Sequence, residues 1–272
     1  MTTVHTLASG SSGNALLLGW DGGHILVDAG ISCRRIRQSL QSLELDLGDL
    51  DAVCITHTHS DHISGLQTLL KHTDCPIYAT APAGRDLLRR MVLLEDRLET
   101  AEGLFSVKDC AIRAFPTSHD APGSCGYRFD TPDGGFGLLT DSGVVTPEAE
   151  DILPGVALAV LEANHDVETL RAGPYPFYLK SRILGPRGHL RNEDAAAFAV
   201  TLAKAGAREI ILAHLSRENN TPAMALRSVE TALSARGLNP RLSAAPRDSL
   251  STAYTLEGGA VCSGSPSSAW EN

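Results

Sequence analysis

The stretch Ile55 to Leu66, ITHTHSDHISGL, sets three histidines and an aspartate within six residues, between a short apolar run and a helical pattern. A chain leaving the end of a strand in an irregular loop can turn His57 and His59 toward one point. Asp61 and His62, entering the helix, then point toward a second position close by. Imidazole and carboxylate are the donors that zinc, manganese and iron accept. No pair of histidines stands at i and i+4, so a single two-histidine helical site is not available. The plain alternative is an exposed polar loop that happens to be rich in histidine. Four potential ligands at a strand-to-helix junction exceed what composition supplies by accident.

If the loop holds metal, further donors must come from elsewhere, and three residues sit in comparable places. His119 follows the apolar strand Ala111 to Phe115 in FPTSHDAPG, Asp141 follows Phe136 to Thr140, and His214 follows Ile210 to Ala213. Each is a coordinating residue at or soon after the end of a predicted strand. Alone, each reads more readily as a hydrogen-bonding loop residue; together with the cluster they read as a ligand set.

The chain has 272 residues, of which 43% are hydrophobic and 20% charged, ordinary for a globular protein with a large core. Its net charge of −9 repels polyanions, so any nucleic-acid contact needs a local basic patch. Six cysteines without a CxxC pair point to reduced thiols and a cytoplasmic location. No apolar run is long enough to span a bilayer, and the N-terminal residues lack a secretion signal.

Strands are predicted at Val4 to Ala8, Ala15 to Gly19, Ile25 to Val27, Pro76 to Ala79, Phe105 to Val107, Tyr127 to Phe129 and Val156 to Leu161. Helices are predicted at Arg34 to Leu43, Ile63 to about His72, Ala83 to Leu94, from Thr146 onward, Glu193 to Ala205 after an Asn192 cap, and Pro222 to Arg236. One run of strands and helices is followed by another of similar make-up, as expected for two sheets packed face to face with helices outside both. Residues 1–257 are expected to form one domain and 258–272, rich in Gly and Ser, a tail. The turn-forming SGSSGN stretch reads as a tight turn ahead of a phosphate cradle, and Asp28 either supports a metal ligand or caps its turn.

With HTHSDH, His119, Asp141 and His214 in this order at strand ends, the chain resembles the metallo-β-lactamase fold superfamily. The resemblance implies an α/β (α+β) fold, an αββα four-layer sandwich with its site along one edge. It places His57, His59 and His119 on one metal, Asp61, His62 and His214 on the other, and Asp141 as the bridge. The two divalent ions would be Zn2+ or Mn2+, with Fe2+ also compatible. Redox di-iron members carry a carboxylate where Thr58 stands, which disfavours oxygen or nitric-oxide reduction; true β-lactamases generally lack the bridging aspartate and are secreted. The segments LASGSSGNA, LVDAG, LEANHD, ILGPRGHLRNEDAA and HLSRENN look like the YycJ/WalJ group, bacterial proteins similar to tRNA 3′-processing nucleases and regarded as DNA exonucleases of the 5′ to 3′ type.

From Leu179 to Arg191 the chain carries Lys180, Arg182, Arg187 and Arg191 with no acid, next to His189. These cations could hold phosphates of a nucleic-acid substrate, DNA ahead of RNA; the alternative is a solvated helix face. Tyr175, Phe177 and Tyr178 could stack on a base, but such a cluster is more often core. The expected chemistry is phosphodiester hydrolysis by a hydroxide shared between two metals and oriented by Asp61, with His189 as acid to the leaving 3′-oxygen. Glu162, matching an acidic residue of the related tRNA nucleases, would keep His189 protonated. Two rivals remain: a thioester or lactone hydrolase of the same fold, and a non-catalytic regulatory module holding a structural metal. His165 is expected beneath the ligands or against substrate.

Overall fold

The computed structural model describes residues 1–91 and 95–256. The first half of the chain gives β1 (Thr2–Ala8), β2 (Ala15–Trp20), β3 (Gly23–Val27), α1 (Cys33–Gln41), β4 (Ala52–Cys54), α2 (Ser60–Ile63), α3 (Leu66–Leu69), β5 (Ile77–Ala79), α4 (Ala81–Arg90) and β6 (Leu98–Thr100). The second gives β7 (Leu104–Val107), β8 (Cys110–Pro116), β9 (Cys125–Thr131), β10 (Gly134–Leu139), α5 (Pro147–Ile152), β11 (Leu158–Glu162), α6 (Val167–Ala172), α7 (Phe177–Leu184) and α8 (Asn192–Lys204). It closes with β12 (Glu209–Ala213), α9 (Pro222–Ser234), β13 (Arg241–Ala244) and β14 (Tyr254–Leu256).

These strands form two seven-stranded sheets, ordered β14-β1-β2-β3-β4-β5-β6 and β13-β12-β11-β10-β9-β8-β7. Side-chain alternation along each strand divides three apolar layers between them. Leu16, Leu18, Ile25 and Val27 of the first sheet meet Leu158, Val160, Ile211 and Ala213 of the second in the central layer. Leu17 and Leu26 point the other way, against Ile36, Leu40 and Leu66 of the first set of helices. Ala159, Leu161, Ile210 and Leu212 likewise face Ala195, Phe198 and Val229 of α8 and α9. The result is the helix–sheet–sheet–helix sandwich expected from the residue pattern. Because the central strands are buried on both faces, they read as nearly continuous apolar runs.

In each sheet an antiparallel portion gives way to parallel strands, from β3 to β6 and from β10 to β13. Parallel strands present their carboxyl ends along one edge, where an open sheet places its ligand site. Two bonds from β9 tie the edges together across the core: Tyr127 donates its hydroxyl to the Ile55 carbonyl at 2.8 Å, and the Cys125 amide donates to Thr56 O at 3.0 Å. The loop that follows β4 is thereby fixed against the opposite sheet.

Several elements differ from expectation. The helix predicted from Ile63 to His72 is two short helices, broken at Ser64 and Gly65. Ala29 N donates to His62 O and Gly65 N to Ala29 O, both at 2.8 Å, drawing the segment onto the loop after β3. A side chain at Gly65 would meet Ile31 O at 2.0 Å, so this approach requires glycine. Asn192 is the first residue of α8 and not its cap, because its amide is engaged with Asn220 at 2.8 and 3.1 Å. The short edge strands β6, β13 and β14 and the helices α6 and α7 carried no strong pattern. The tail 258–272 and the end of the helix predicted to reach Leu94 lie outside the described residues.

Candidate metal centre

The carboxyl ends of β3, β4, β8, β10, β11 and β12 deliver Asp28, the His57–His62 loop, His119, Asp141, Glu162 and His214 to one rim. Asp28, Asp141 and His214 have φ of 61°, 56° and 54°. Left-handed backbone at a non-glycine residue costs about 1–2 kcal/mol, and three such residues one or two steps beyond strand ends mark a rim whose side chains are held where relaxed backbone would not put them.

Ligand atoms of His57, His59 and His119 lie within 4.8 Å of one another, as do those of Asp61, His62 and His214. Asp141 stands between the two groups: Oδ2 is 3.3 Å from His62 Nε2, while Oδ1 is 3.8 Å from His119 Nε2 and 3.5 Å from His214 Nδ1. All seven residues expected as ligands are thus gathered in one place.

The far nitrogen of four of the five rings is anchored, which decides the nitrogen that faces inward, while His59 sets Nδ1 3.2 Å from His119 Nε2. His62 donates Nδ1–H to Asp28 Oδ2 at 2.7 Å, and His119 donates Nδ1–H to Gly188 O at 3.0 Å. His214 donates Nδ1–H to Glu162 Oε1 at 2.9 Å. Thr56 gives its hydroxyl proton to Asp28 Oδ2 at 2.8 Å and accepts from His57 Nδ1 at 3.1 Å. Asp28 therefore supports two rings, one directly and one through Thr56, and its second oxygen accepts the Thr56 amide at 2.8 Å. Of the two roles open to Asp28 in the sequence, its bonds to rings expected as ligands favour the first.

Three inward atoms are left without partners. His57 Nε2, His214 Nε2 and Asp141 Oδ2 are buried with no hydrogen bond, a costly condition that a bound cation relieves. The donor set, imidazole nitrogens and carboxylate oxygens, is the one borderline divalent metals take. The residues present fit metal ions.

Electrostatics separate the groups. Burial lowers the pKa of His57, His59 and His119, leaving neutral rings with free lone pairs. At His62 burial is outweighed by Asp141 and Asp28, which push it up to about 9. His214 is raised in the same way by Asp141, Asp61 and Glu162 against its burial. Burial opposes the Asp61 charge too, yet His214 and His62 hold its carboxyl below the usual range. This side is built to accumulate positive charge.

Glu162 is fully buried and joins the centre to the neighbouring cavity. Its Oε1 accepts from His214 and, at 2.8 Å, from His189 Nδ1; its Oε2 accepts the amides of Ser142 and Leu190 at 3.0 and 3.1 Å. Burial alone would raise this carboxyl, but His189 and His214 hold it below its ordinary range. His189 lines a cavity of about 190 Å³ with His119, Asn164, Tyr175, Arg182 and Arg187.

The four basic residues divide. Arg187 donates to His119 O at 3.2 and 3.3 Å and Lys180 to Arg171 O at 2.6 Å; carbonyl acceptors leave both charges uncompensated. Arg182 is paired with Asp120 at 2.6 Å. Arg191 is paired with Asp194 at 2.8 Å and lines a different hollow, with Val144 and Phe198. Of the aromatic cluster expected in the core, Tyr175 is half-buried, but Phe177 and Tyr178 are 85% and 74% exposed because α7 buries no side chain.

Three residues of the site escaped sequence reading. Thr56 links His57 to Asp28. Asn14 sets Nδ2 3.0 Å from His62 Nε2. Asp120 has a buried Oδ1 without a hydrogen bond, 3.6 Å from His59 Nε2 and 3.5 Å from His119 Nε2. Only Asp120 carried a signal, its place directly after His119. His165 is buried, and burial pushes it down to about 4.

The family model for the beta-lactamase superfamily domain matches residues 24–215, spanning the whole ligand set. The chain belongs to the metallo-β-lactamase superfamily. Among superfamily relatives, the exodeoxyribonuclease YycJ of Bacillus anthracis is 37% identical over 234 residues, 85% of this chain and 89% of that protein. The exodeoxyribonuclease WalJ of Streptococcus pneumoniae is 38% identical over 224 residues, 80% and 83% of the two chains. The crystal structure of the metallo-β-lactamase fold protein YhfI from Bacillus subtilis superposes with a TM-score of 0.71 at 16% identity, covering 93% of this chain and all of that one, a likeness of fold. The resemblance read from the sequence motifs to this superfamily and its YycJ/WalJ group is thus borne out.

Proposed function

We propose that this protein is a metal-dependent phosphodiesterase acting on nucleic acid from a strand end, as the names of its exodeoxyribonuclease relatives suggest. The observation that carries the reading is the Glu162–His189 pair. It sets a proton donor beside the gathered ligands, facing a cavity that also holds Arg187. His57, His59 and His119 would hold one divalent ion, Asp61, His62 and His214 a second, with Asp141 shared between them. Such ions supply Lewis acidity, making water nucleophilic near neutral pH and neutralising charge on the phosphoryl oxygens.

The side chains do the rest. Asp61 accepts a hydrogen bond from the attacking water and orients it in line with the phosphorus. His189, held by Glu162 through Nδ1, donates its Nε2 proton to the leaving 3′-oxygen. Arg187 and Lys180 are the cations free to meet phosphates; Arg182 orders Asp120 in the site. An alkoxide leaving group needs such an acid far more than a thiolate does, and this favours the phosphodiester over the thioester.

DNA as substrate ahead of RNA rests on the relatives' names. A cytoplasmic setting is supported by five described cysteines, all free and buried. Among the described residues no helix is long and apolar enough to cross a membrane.

The test pairs His189→Ala with a phosphodiester reporter and a thioester. Phosphodiester hydrolysis should fall about a hundredfold and thioester hydrolysis much less; equal losses would overturn the assignment. Degradation of end-labelled DNA and RNA by chelated protein with Mn2+ or Zn2+ restored identifies metal and substrate together.

A further inference from the structure

Phe177 and Tyr178 are the two exposed aromatic residues among the described large hydrophobic side chains left in solvent. They are adjacent, at the start of a helix with no buried residue. Exposing two aromatic rings is unfavourable for a surface with no partner, and here the helix that carries them is tied to the site. Tyr175 stands between Pro174 and Pro176, whose fixed φ limits the backbone, and it lines the cavity that contains His189. At the other end of α7, Arg182 is bonded to Asp120, the neighbour of His119, and the following turn places Arg187 on His119 O. Five helical steps, about 7.5 Å at 1.5 Å per residue, separate Phe177 from Arg182, the arginine that pins α7 to the site.

The surroundings select the partner. Lys180 and Arg187 keep uncompensated charge, and Leu179 to Arg191 contains no acid, in a chain of net charge −9. Aromatic faces beside cations suit a flexible polyanion whose own flat apolar groups are unpaired: single-stranded nucleic acid. In a duplex the base faces are already stacked on one another and unavailable to the rings.

We propose that α7 is a stacking platform for unpaired bases, with Phe177 and Tyr178 taking the bases and Lys180 and Arg187 the adjoining phosphates. The proposal rests on the nucleic-acid phosphodiesterase reading and deepens it: the substrate is engaged as a single-stranded end or overhang. Sequence preference is weak, since every base offers a π face.

The experiment measures binding of a single-stranded oligonucleotide carrying 2-aminopurine to the full chain in chelator, where no turnover occurs. Wild type should quench the fluorescent base. Phe177→Ala/Tyr178→Ala should abolish quenching and weaken affinity about tenfold or more. Lys180→Ala should lower the salt dependence by about one phosphate contact. Leu104→Ala, an exposed apolar residue on β7, is the surface control, and thermal melts establish that each variant is folded. Unchanged affinity and quenching in the double variant overturn the platform, as does failure of wild type to bind single strands. A wild-type dimer that the double variant splits, with oligonucleotide binding intact, also overturns it and assigns the rings to a second copy of the chain. Turnover of a small phosphodiester by wild type with Mn2+ keeps the two readings apart. Variant-sensitive binding without turnover removes the phosphodiesterase and leaves the platform, whereas turnover with insensitive binding does the reverse.

Discussion

The two halves of the centre use the same side chain in opposite ways. His57, His59 and His119 form a group of imidazoles whose burial favours the neutral ring. His62 and His214 stand among Asp28, Asp61, Asp141 and Glu162, and those carboxylates favour positive charge. Desolvation acts on both halves; the difference is whether fixed negative charge is near enough to outweigh it. The first half offers lone pairs with no proton to remove, and the second offers electrostatic attraction but must give up protons to bind a cation. In the two-ion reading proposed above, the carboxylates of the second half would offset the charge of a second cation.

Asp141 is the residue through which the halves meet, so its loss should break the comparison most completely. Asp141→Ala is expected to lower phosphodiester turnover by about 10³-fold or more and to remove metal from both halves, read as metal per chain by elemental analysis. His59→Ala should reduce one half alone, and equal metal loss in the two variants would refute the division. Glu162→Gln should come next, with turnover down about 10²–10³-fold, because His189 and His214 lose one shared anion. Asp28→Asn should weaken metal binding about 10–100-fold in both halves, since Asp28 anchors His62 directly and His57 through Thr56. An effect confined to the His62 side would show the Thr56 relay to be idle.

The pH dependence of the chelated protein tests the charge difference itself. A group raised in the folded state, as His62 is to about 9, contributes stability present below its ordinary 6.5 and lost as pH rises toward 9. Asp61 and Glu162 are depressed, so their contribution is present above their ordinary 3.8 and 4.5 and lost as pH falls. His57, His59 and His119 are lowered, so below their ordinary 6.5 the unfolded chain takes up protons that the folded rings refuse. Melting temperature should therefore be highest at about pH 6.5 and fall on either side. A rise from pH 6.5 to 9 would contradict the assignment. The smallest effect expected is that of Tyr127→Phe, which leaves the buried Ile55 carbonyl with only the long 3.8 Å contact from Cys125 Sγ and costs about 1–3 kcal/mol in denaturant melts, with metal content little changed.

Much of the architecture could be read along the chain, and the reason is periodicity. Leu16 to Leu18 and Leu158 to Leu161 are apolar on both faces, which only a sheet covered twice permits. The parts that escaped are those that tertiary contacts impose. The break at Gly65 follows from bonds to Ala29, and the Asn192 side chain is taken by Asn220 from 28 residues away. Phe177 and Tyr178 have core-like composition, yet α7 lies on the surface and buries none of its residues. Edge strands such as β6 and β14, three residues each, are too short for alternation to register.

For the site, the residues in order supplied the donor chemistry: His57, His59, Asp61 and His62 in one loop, and His119, Asp141 and His214 near strand ends. Short-range spacing can do this because ligand type is a property of the side chain alone. Which nitrogen of His57, His62, His119 and His214 turns inward, which histidines favour the proton, and whether the Arg182 charge is paired were settled by partners remote in sequence: Asp28, Glu162, Gly188 O and Asp120. Protonation and ring orientation depend on solvent exclusion and on charges a few ångströms away, and only the folded chain sets those distances.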